Sequence, residues 1–176
     1  MDNAILQALE ERRSVRKYSD RQVEPEALEA ILRAGTYAPT GRNRQSPIMV
    51  VVQDKDTIEQ LRRMNADIMG TPGADPFYGA PTIVVVLVDR SVSTCVEDGS
   101  LVMGNLMLAA YAVGVDSCWI HRARQEFDSD EGKALLQKWG IEGDYMGVGH
   151  CILGYRPDGA PYPEKRERKQ NYIYKV

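Results

Sequence analysis

The run Ile83-Val84-Val85-Val86-Leu87-Val88 is the segment that most directly decides the fold of this chain. Its six consecutive aliphatic residues have the length of one strand, and the absence of polar alternation is typical of a strand that is covered on both faces. Other strand-like segments lie at 48–53, 117–121 and 145–155, and glycines break the last of them. The sequence therefore predicts a sheet of four strands.

Helical patterns fill most of the intervals between these strands. Apolar residues recur at helical spacing in four segments: 3–12, 24–35, 56–69 and 129–139. Either Asp2 or Asn3 is placed to cap the first helix. The segment 99–115 is apolar on nearly all sides, which is typical of a buried helix, and it is shorter than the ~20 residues that span a bilayer. A subunit interface and an internal core are both ways to bury it, and we favour the interface. Residues 172–176 alternate like a strand that could pair with a partner's edge.

The length, net charge and cysteine content of the chain favour one domain, residues 1–176, that binds a small-molecule ligand. A chain of 176 residues is long enough to bury roughly 70% of its unfolded surface. Because the net charge is -3 and the basic residues are clustered locally, a small anion is a better fit than a nucleic acid. The three cysteines have no C-x-x-C spacing, and the N-terminus is too acidic for a signal peptide. We therefore expect reduced thiols, a cytoplasmic location, and no nucleic-acid or membrane partner.

Two basic clusters lie at opposite ends of the sequence. The first is Arg12-Arg13-Ser14-Val15-Arg16-Lys17, and the second contains Lys165, Arg166, Arg168 and Lys169. Arginine forks bind phosphate oxygens in pairs, and a serine hydroxyl adds a further contact. We expect the two clusters to meet on one phosphorylated small molecule, with RNA binding as the alternative.

Common catalytic and cofactor motifs are absent from the sequence. Gly147-Val148-Gly149 begins a dinucleotide fingerprint, but Ile152 stands where the third glycine belongs. His121 and His150 are the only histidines, so a histidine metal site is not expected, and no G-x-S-x-G motif supports a serine nucleophile. The sequence therefore predicts no metal and no catalytic nucleophile.

Several motifs occur in an order that resembles the FMN-dependent nitroreductase family. The motifs are the basic run 12–17, the loop Ala38-Pro39-Thr40-Gly41-Arg42-Asn43-Arg44-Gln45-Ser46-Pro47, Tyr78-Gly79-Ala80-Pro81, Gly114-Val115-Asp116-Ser117-Cys118-Trp119-Ile120, Gly149-His150-Cys151-Ile152-Leu153-Gly154-Tyr155 and the basic tail. The resemblance covers essentially the whole chain. It implies an α+β fold, with a mixed, mainly antiparallel sheet flanked by helices, in an intertwined homodimer with two FMN sites at the interface.

The resemblance also implies an activity. Members are NAD(P)H-dependent flavin oxidoreductases in which hydride passes by a ping-pong route from NADH or NADPH through FMN to a nitroaromatic, a quinone or a similar acceptor. Two alternatives stay open. One is another flavin chemistry on the same scaffold, either reductive dehalogenation or oxygen-dependent flavin cleavage. The other is a non-catalytic flavin or nucleotide sensor.

The basic residues acquire roles by the same resemblance. Arg12, Arg13 and Ser14 match the family's phosphate and ribityl contacts, and Arg16 matches the basic residue near the N1 and O2 edge of the flavin. Arg168 and Lys169 match phosphate contacts near the C-terminus. Arg16 is therefore expected to tune the flavin rather than to act as a protein nucleophile.

The resemblance assigns the remaining contacts to a loop and a strand end. Pro39 and Thr40 match the segment that covers the flavin from the other subunit, and Asn43 and Gln45 match amides that face the ring or the ribityl chain. Trp119-Ile120-His121 matches the strand end beside the dimethylbenzene and N5 region, where His121 could also tune the flavin. Many members have a glycine or another small residue after this strand, where a backbone amide meets flavin N5, whereas this chain has the bulky, basic pair His121-Arg122.

Overall fold

Four strands form one antiparallel sheet in the order β1-β2-β4-β3. The computed structural model describes residues 3–176. The strands are β1 (Ile48–Val52), β2 (Thr82–Asp89), β3 (Asp116–Ile120) and β4 (Tyr145–Gly154). Every residue of β2 except the last is buried, as its uninterrupted apolar run predicts. A parallel bridge between Ser14 and Ser117 adds the N-terminal segment beside β3.

Within residues 3–176, six α-helices accompany the sheet, and together they give the predicted α+β class. They are α1 (Ala4–Glu11), α2 (Pro25–Thr36), α3 (Lys55–Met69), α4 (Cys95–Ala112), α5 (Ala123–Asp128) and α6 (Asp130–Lys138). Asn3 caps α1 by accepting from the Ile5 and Leu6 amides, whereas Asp2 lies outside the described residues. Helix α5 follows β3 in a segment where the sequence shows no helical pattern.

Alternate residues of β2 supply two hydrophobic cores, one on each face of the sheet. Ile83, Val85 and Leu87 pack with Leu61 of α3 in the first core. Val84, Val86 and Val88 pack with Met103 and Leu106 of α4 in the second. The period of two along a strand places the residues of one run on both faces. Both cores fix the position of β4 and, through it, of β3.

The glycines of β4 do not break the strand, contrary to the sequence prediction. The strand is continuous, with a register shift opposite Val86 and Leu87. A Cβ on Gly147 would lie 2.3 Å from the Ala123 carbonyl oxygen, and one on Gly149 would lie 2.3 Å from the Trp119 ring nitrogen. Because these glycines have no side chain, α5 and the ring of Trp119 can lie directly against β4.

Several predicted apolar faces are exposed in the single chain. Ile5, Leu6 and Leu9 of α1 all face solvent, and so do Val96 and Leu101 of α4. The expectation that 99–115 is buried on all sides is therefore met on one side only. Residues 172–176 form no strand in the described chain and are exposed. Within residues 3–176, none of the helices combines the length and apolar character needed to cross a bilayer.

Candidate functional site

A cavity of about 1050 Å³ brings the two basic clusters together. Its walls come from the end of α1, the segment that follows it, and the C-terminal tail. Its basic residues are Arg12, Arg13, Arg16, Lys165, Arg166 and Arg168, joined by the hydroxyl of Ser14. Two carboxylates, Glu10 and Glu164, also line it. The cationic groups outnumber the acidic ones, so the cavity is suited to an anion.

The backbone of residues 12–16 is held in place from both sides. Helix α1 ends at Arg12, and the Arg13 amide donates to the Tyr162 hydroxyl at 2.7 Å. The Val15 amide donates to the Ser117 carbonyl of β3 at 3.1 Å, and the Val15 side chain is buried in the first core. The apolar anchor at Val15 thus fixes the polar residues on either side of it.

Two guanidinium donors at this cavity have no partner within the described chain. The Arg13 Nη1 donates to the carbonyls of Glu10 and Arg12, but Arg13 Nε and Arg12 Nη1 are buried without a hydrogen bond. A buried donor normally has an acceptor, and charged donors suffer most from lacking one. These donors fit a phosphate group, whose oxygens would accept from both arginines.

The tail forms the opposite wall of the cavity. Arg168 Nη2 donates to the Arg166 carbonyl at 3.1 Å, and Lys165 Nζ lies 3.5 Å from Glu10 Oε2. Lys165 and Arg166, to which the family resemblance assigns no contact, also line the cavity, so both basic clusters contribute to it. Lys169 does not line it, because its ammonium lies over the Tyr172 ring, 5.2 Å from the centroid.

Strand β3 leads from this cavity to the predicted ring site. The Ser14–Ser117 bridge is parallel, so Arg16 lies further than Ser14 toward the His121 end of the strand. At that end Trp119 is half-buried against the second core, the Ile120 side chain is buried in the first core, and His121 is exposed. The described chain therefore offers the His121 side chain to a ligand, and that of Ile120 only to the core.

The positive charges of Arg12 and Arg16 act on the thiol of Cys118 in β3. Burial raises the pKa of the Cys118 thiol, while Arg16, the Ser14 hydroxyl and Arg12 act in the opposite direction. The thiol is 1% exposed and packs in the first core. We therefore interpret Cys118 as a structural residue whose position brings it within the field of the cluster.

The loop between α2 and β1 is ordered by its own side chains. Thr40 Oγ1 accepts from the Gln45 amide at 3.0 Å, and Gln45 Nε2 donates to Asn43 Oδ1 at 3.1 Å. The Gly41 amide donates to Asp98 Oδ1 at 2.9 Å, which ties the loop to α4. Within one chain this loop, with Pro39 at its start, does not line the basic cavity.

The sequence profile of the nitroreductase family matches residues 9–155 of this chain. The chain belongs to the nitroreductase family. The proposed NADH dehydrogenase/NAD(P)H nitroreductase of Archaeoglobus fulgidus is 30% identical to it over 168 residues, which are 93% of this chain and 91% of that protein.

Solved structures show the same fold. A Bacteroides fragilis nitroreductase with bound FMN superposes with a TM-score of 0.90 at 28% identity, over 99% of this chain and 100% of the other. Iodotyrosine deiodinase bound to FMN and 3-iodo-L-tyrosine superposes with a TM-score of 0.71 over 97% of this chain and 100% of the other. At 19% identity, the likeness to the deiodinase concerns the fold alone.

The family position after β3 has an unusual backbone in this nitroreductase-family chain. Arg122 has a φ of 81°, the left-handed conformation that glycine adopts most readily. The residue that follows His121 thus forms a turn of the kind that glycine favours, although it is an arginine. No sequence pattern indicates this conformation at an arginine, because only glycine, asparagine and aspartate adopt it routinely.

Another contributor was missed for a different reason. Tyr162 lies in a tail without helical or strand periodicity, so only the fold reveals that its hydroxyl accepts from the Arg13 amide. Tyr162 stands between two prolines in this polar tail, which is a weak signal of an anchoring side chain. Among residues 3–176, no cluster of histidine, cysteine, aspartate or glutamate is arranged to hold a metal ion.

Proposed function

We propose that the protein is an FMN-dependent NAD(P)H oxidoreductase that reduces a small acceptor such as a nitroaromatic or a quinone. The observation that carries the proposal is the basic cavity, with its unpartnered buried donors on Arg12 and Arg13. Two similar proteins support the proposal. One relative is an FMN reductase [NAD(P)H] of Bacillus subtilis, and the Bacteroides fragilis nitroreductase structure contains bound FMN.

The chain's own residues divide into a phosphate group and a ring group. Arg12, Arg13, Ser14 and Arg168 would hold the FMN phosphate and its sugar chain, with Lys165 and Arg166 adding positive charge. Buried charge-assisted hydrogen bonds of this kind contribute about 1.5–3 kcal/mol each. Lys169, which packs on Tyr172, has the weaker claim to a phosphate contact.

The ring would lie along the end of β3. Bound FMN would supply the redox chemistry, accepting hydride from NADH or NADPH and passing electrons to the acceptor. Arg16 would place its positive charge near the N1 and O2 edge and stabilise the anionic reduced state. Trp119, Ile120 and His121 would border the ring on one side.

A homodimer would complete each site. Pro39, Thr40, Asn43 and Gln45 are away from the basic cavity of their own chain, and we infer that they cover the flavin of the partner. The exposed apolar residues support this arrangement, because a patch on two helices and a tail favours an interface. They are Ile5, Leu6, Leu9, Val96, Leu101, Tyr172, Ile173 and Tyr174.

Two measurements test the proposal. FMN titrated into the protein should be bound tightly, with quenched flavin fluorescence, and steady-state assays should show NAD(P)H oxidation that depends on a quinone or a nitroaromatic. Absence of FMN binding would refute the proposal. Binding without acceptor-dependent turnover would favour a flavin sensor, and turnover of a halogenated aromatic alone would favour reductive dehalogenation.

A further inference from the structure

A group of buried polar side chains lies behind the turn that follows β3. Asn65 of α3, Glu126 of α5 and His150 of β4 have no exposed surface. The rings of Phe77 and Phe127 pack beside the His150 ring, at centroid distances of 5.2 Å and 6.4 Å. None of these residues lines the basic cavity. Three polar groups are thus enclosed in the core, outside the site described above.

Asn65 is the centre of this group, and it contacts both residues of the turn. Its Nδ2 donates to the His121 carbonyl at 2.9 Å and to Glu126 Oε1. Its Oδ1 accepts from Arg122 Nε at 2.9 Å. One amide side chain therefore links the backbone of His121 and the side chain of Arg122 to the buried carboxylate.

The turn needs such support because Arg122 is in a left-handed conformation. A φ of 81° is unfavourable for a residue that carries a Cβ, because the Cβ crowds the neighbouring carbonyl. The Arg122 carbonyl accepts from the Glu126 amide at 3.0 Å, which closes the first turn of α5. Asn65 and Glu126 together hold both sides of the residue whose backbone is strained.

The group is not arranged for maximum stability. His150 Nε2 lies 2.8 Å from Glu126 Oε2, but the contact lacks the alignment of a hydrogen bond. Both ring nitrogens of His150 and this carboxylate oxygen are buried without a hydrogen-bond partner in the described chain. Buried polar groups can often be replaced by apolar ones at no loss of stability. A role other than stabilising the fold therefore accounts better for this group of buried polar side chains.

We infer that Asn65 is a positioning residue for the His121–Arg122 turn, with Glu126 fixing Asn65 from behind. The inference rests on the proposed function, in which this turn borders the flavin ring. By holding Arg122 at positive φ, Asn65 gives an arginine the backbone conformation that glycine takes at little cost. The group then sets the shape of the protein at the reactive side of the ring.

The first test uses the protein without flavin. In Asn65→Leu, exchange of the Glu126 amide hydrogen, which donates to the Arg122 carbonyl at 3.0 Å, should be about tenfold faster, because the turn that presents this carbonyl is no longer held by Asn65. The matched control is Asn105→Leu, which removes a 2.9 Å hydrogen bond from Asn105 Nδ2 to the Ala34 carbonyl in another part of the fold. Equal exchange of the Glu126 amide in wild type and Asn65→Leu would overturn the inference.

The second test uses the FMN-loaded protein. Sulfite adds to oxidised flavin at N5, so its dissociation constant reports the surroundings of that atom. Asn65→Leu should change the sulfite constant by about tenfold, and the control should leave it unchanged. If Asn65 acts through Arg122, adding Arg122→Gly to Asn65→Leu should bring the sulfite dissociation constant most of the way back to the wild-type value. A sulfite constant that moves equally in the control would contradict the inference.

Two further measurements keep the tests independent. If Asn65→Leu fails to fold, Glu126→Gln keeps the shape of the side chain, removes its charge, and should accelerate exchange at the same turn. If the wild-type protein binds no FMN, the proposed function fails, and the exchange measurement alone decides whether Asn65 holds the turn.

Discussion

Replacing Arg12 by methionine should weaken binding of FMN far more than binding of riboflavin, which lacks the phosphate. Arg12 Nη1 is buried without a partner at the basic cavity, so a phosphate would receive a shielded, charge-assisted hydrogen bond. Such a bond contributes about 1.5–3 kcal/mol, well above the 0.2–1 kcal/mol of an exposed ion pair. The dissociation constant of FMN should therefore rise by roughly 10- to 150-fold.

The comparison of the two ligands isolates the phosphate contact. Fluorescence titration of wild type and Arg12→Met with FMN and with riboflavin gives four dissociation constants, which form a double-difference cycle. Riboflavin affinity should change by less than about threefold, since Arg12 is assigned to the phosphate end. Lys17→Met is the matched control, because Lys17 is exposed, does not line the cavity and loses the same charge.

The stability of the flavin-free protein supplies a second readout. Six cationic side chains line the cavity against two carboxylates, so removal of one positive charge should relieve repulsion. Arg12→Met without flavin should therefore unfold at the same temperature as wild type or slightly above it. If FMN and riboflavin lose affinity equally, or if Lys17→Met weakens FMN as much as Arg12→Met, the assignment of the cavity to the phosphate is wrong.

Three further predictions address the ring, the core and the thiols. Arg16→Met should lower the flavin midpoint potential by about 20–40 mV, measured by dye-coupled reduction, and an unchanged potential would remove Arg16 from the ring. Leu61→Ala should destabilise the first core by about 2–5 kcal/mol and lower the melting temperature by roughly 4–20 °C, while a smaller change would mean that the core collapses around the site. Burial raises the pKa of both Cys118 and Cys151, so a thiol reagent should label half-buried Cys95 first, and raising the pH to about 9 should leave Cys118 and Cys151 unlabelled. Labelling of more than one thiol in the folded protein would contradict this.

The fold was predictable wherever local pattern and burial agree. The run 83–88 predicts a strand covered on both faces because an uninterrupted aliphatic segment needs two apolar layers, and the structure supplies them. Helix α5 was missed because its six residues include only two buried apolar side chains, Ala123 and Phe127, which are too few to show a period. The glycines of β4 were misinterpreted as breaks because their role depends on what approaches them from α5 and β3.

The residues of the candidate site also differ in how far the sequence alone predicts them. Arg12, Arg13 and Ser14 are adjacent in sequence, so the chain order alone indicates their shared anion-binding chemistry. Lys165 reaches the same cavity only because the tail returns to α1, an arrangement that no local pattern encodes. Asn65 was missed although it lies on the buried face of α3 with Leu61 and Met64, where a single asparagine among apolar residues is the signal that could have found it.

The two halves of the proposed site therefore differ in how much substitution each should tolerate. At the phosphate end several cations share one cavity, so the loss of any one leaves others to bind the anion. At the turn after β3, a single amide joins His121, Arg122 and Glu126, and no neighbouring group in the described chain duplicates its hydrogen bonds. Substitutions in the cluster should accordingly lower affinity in steps, whereas loss of Asn65 should alter the surroundings of the ring at once. Several interchangeable cations are enough to bind a phosphate. The backbone turn after β3 must have one conformation, so it depends on the specific hydrogen bonds of Asn65.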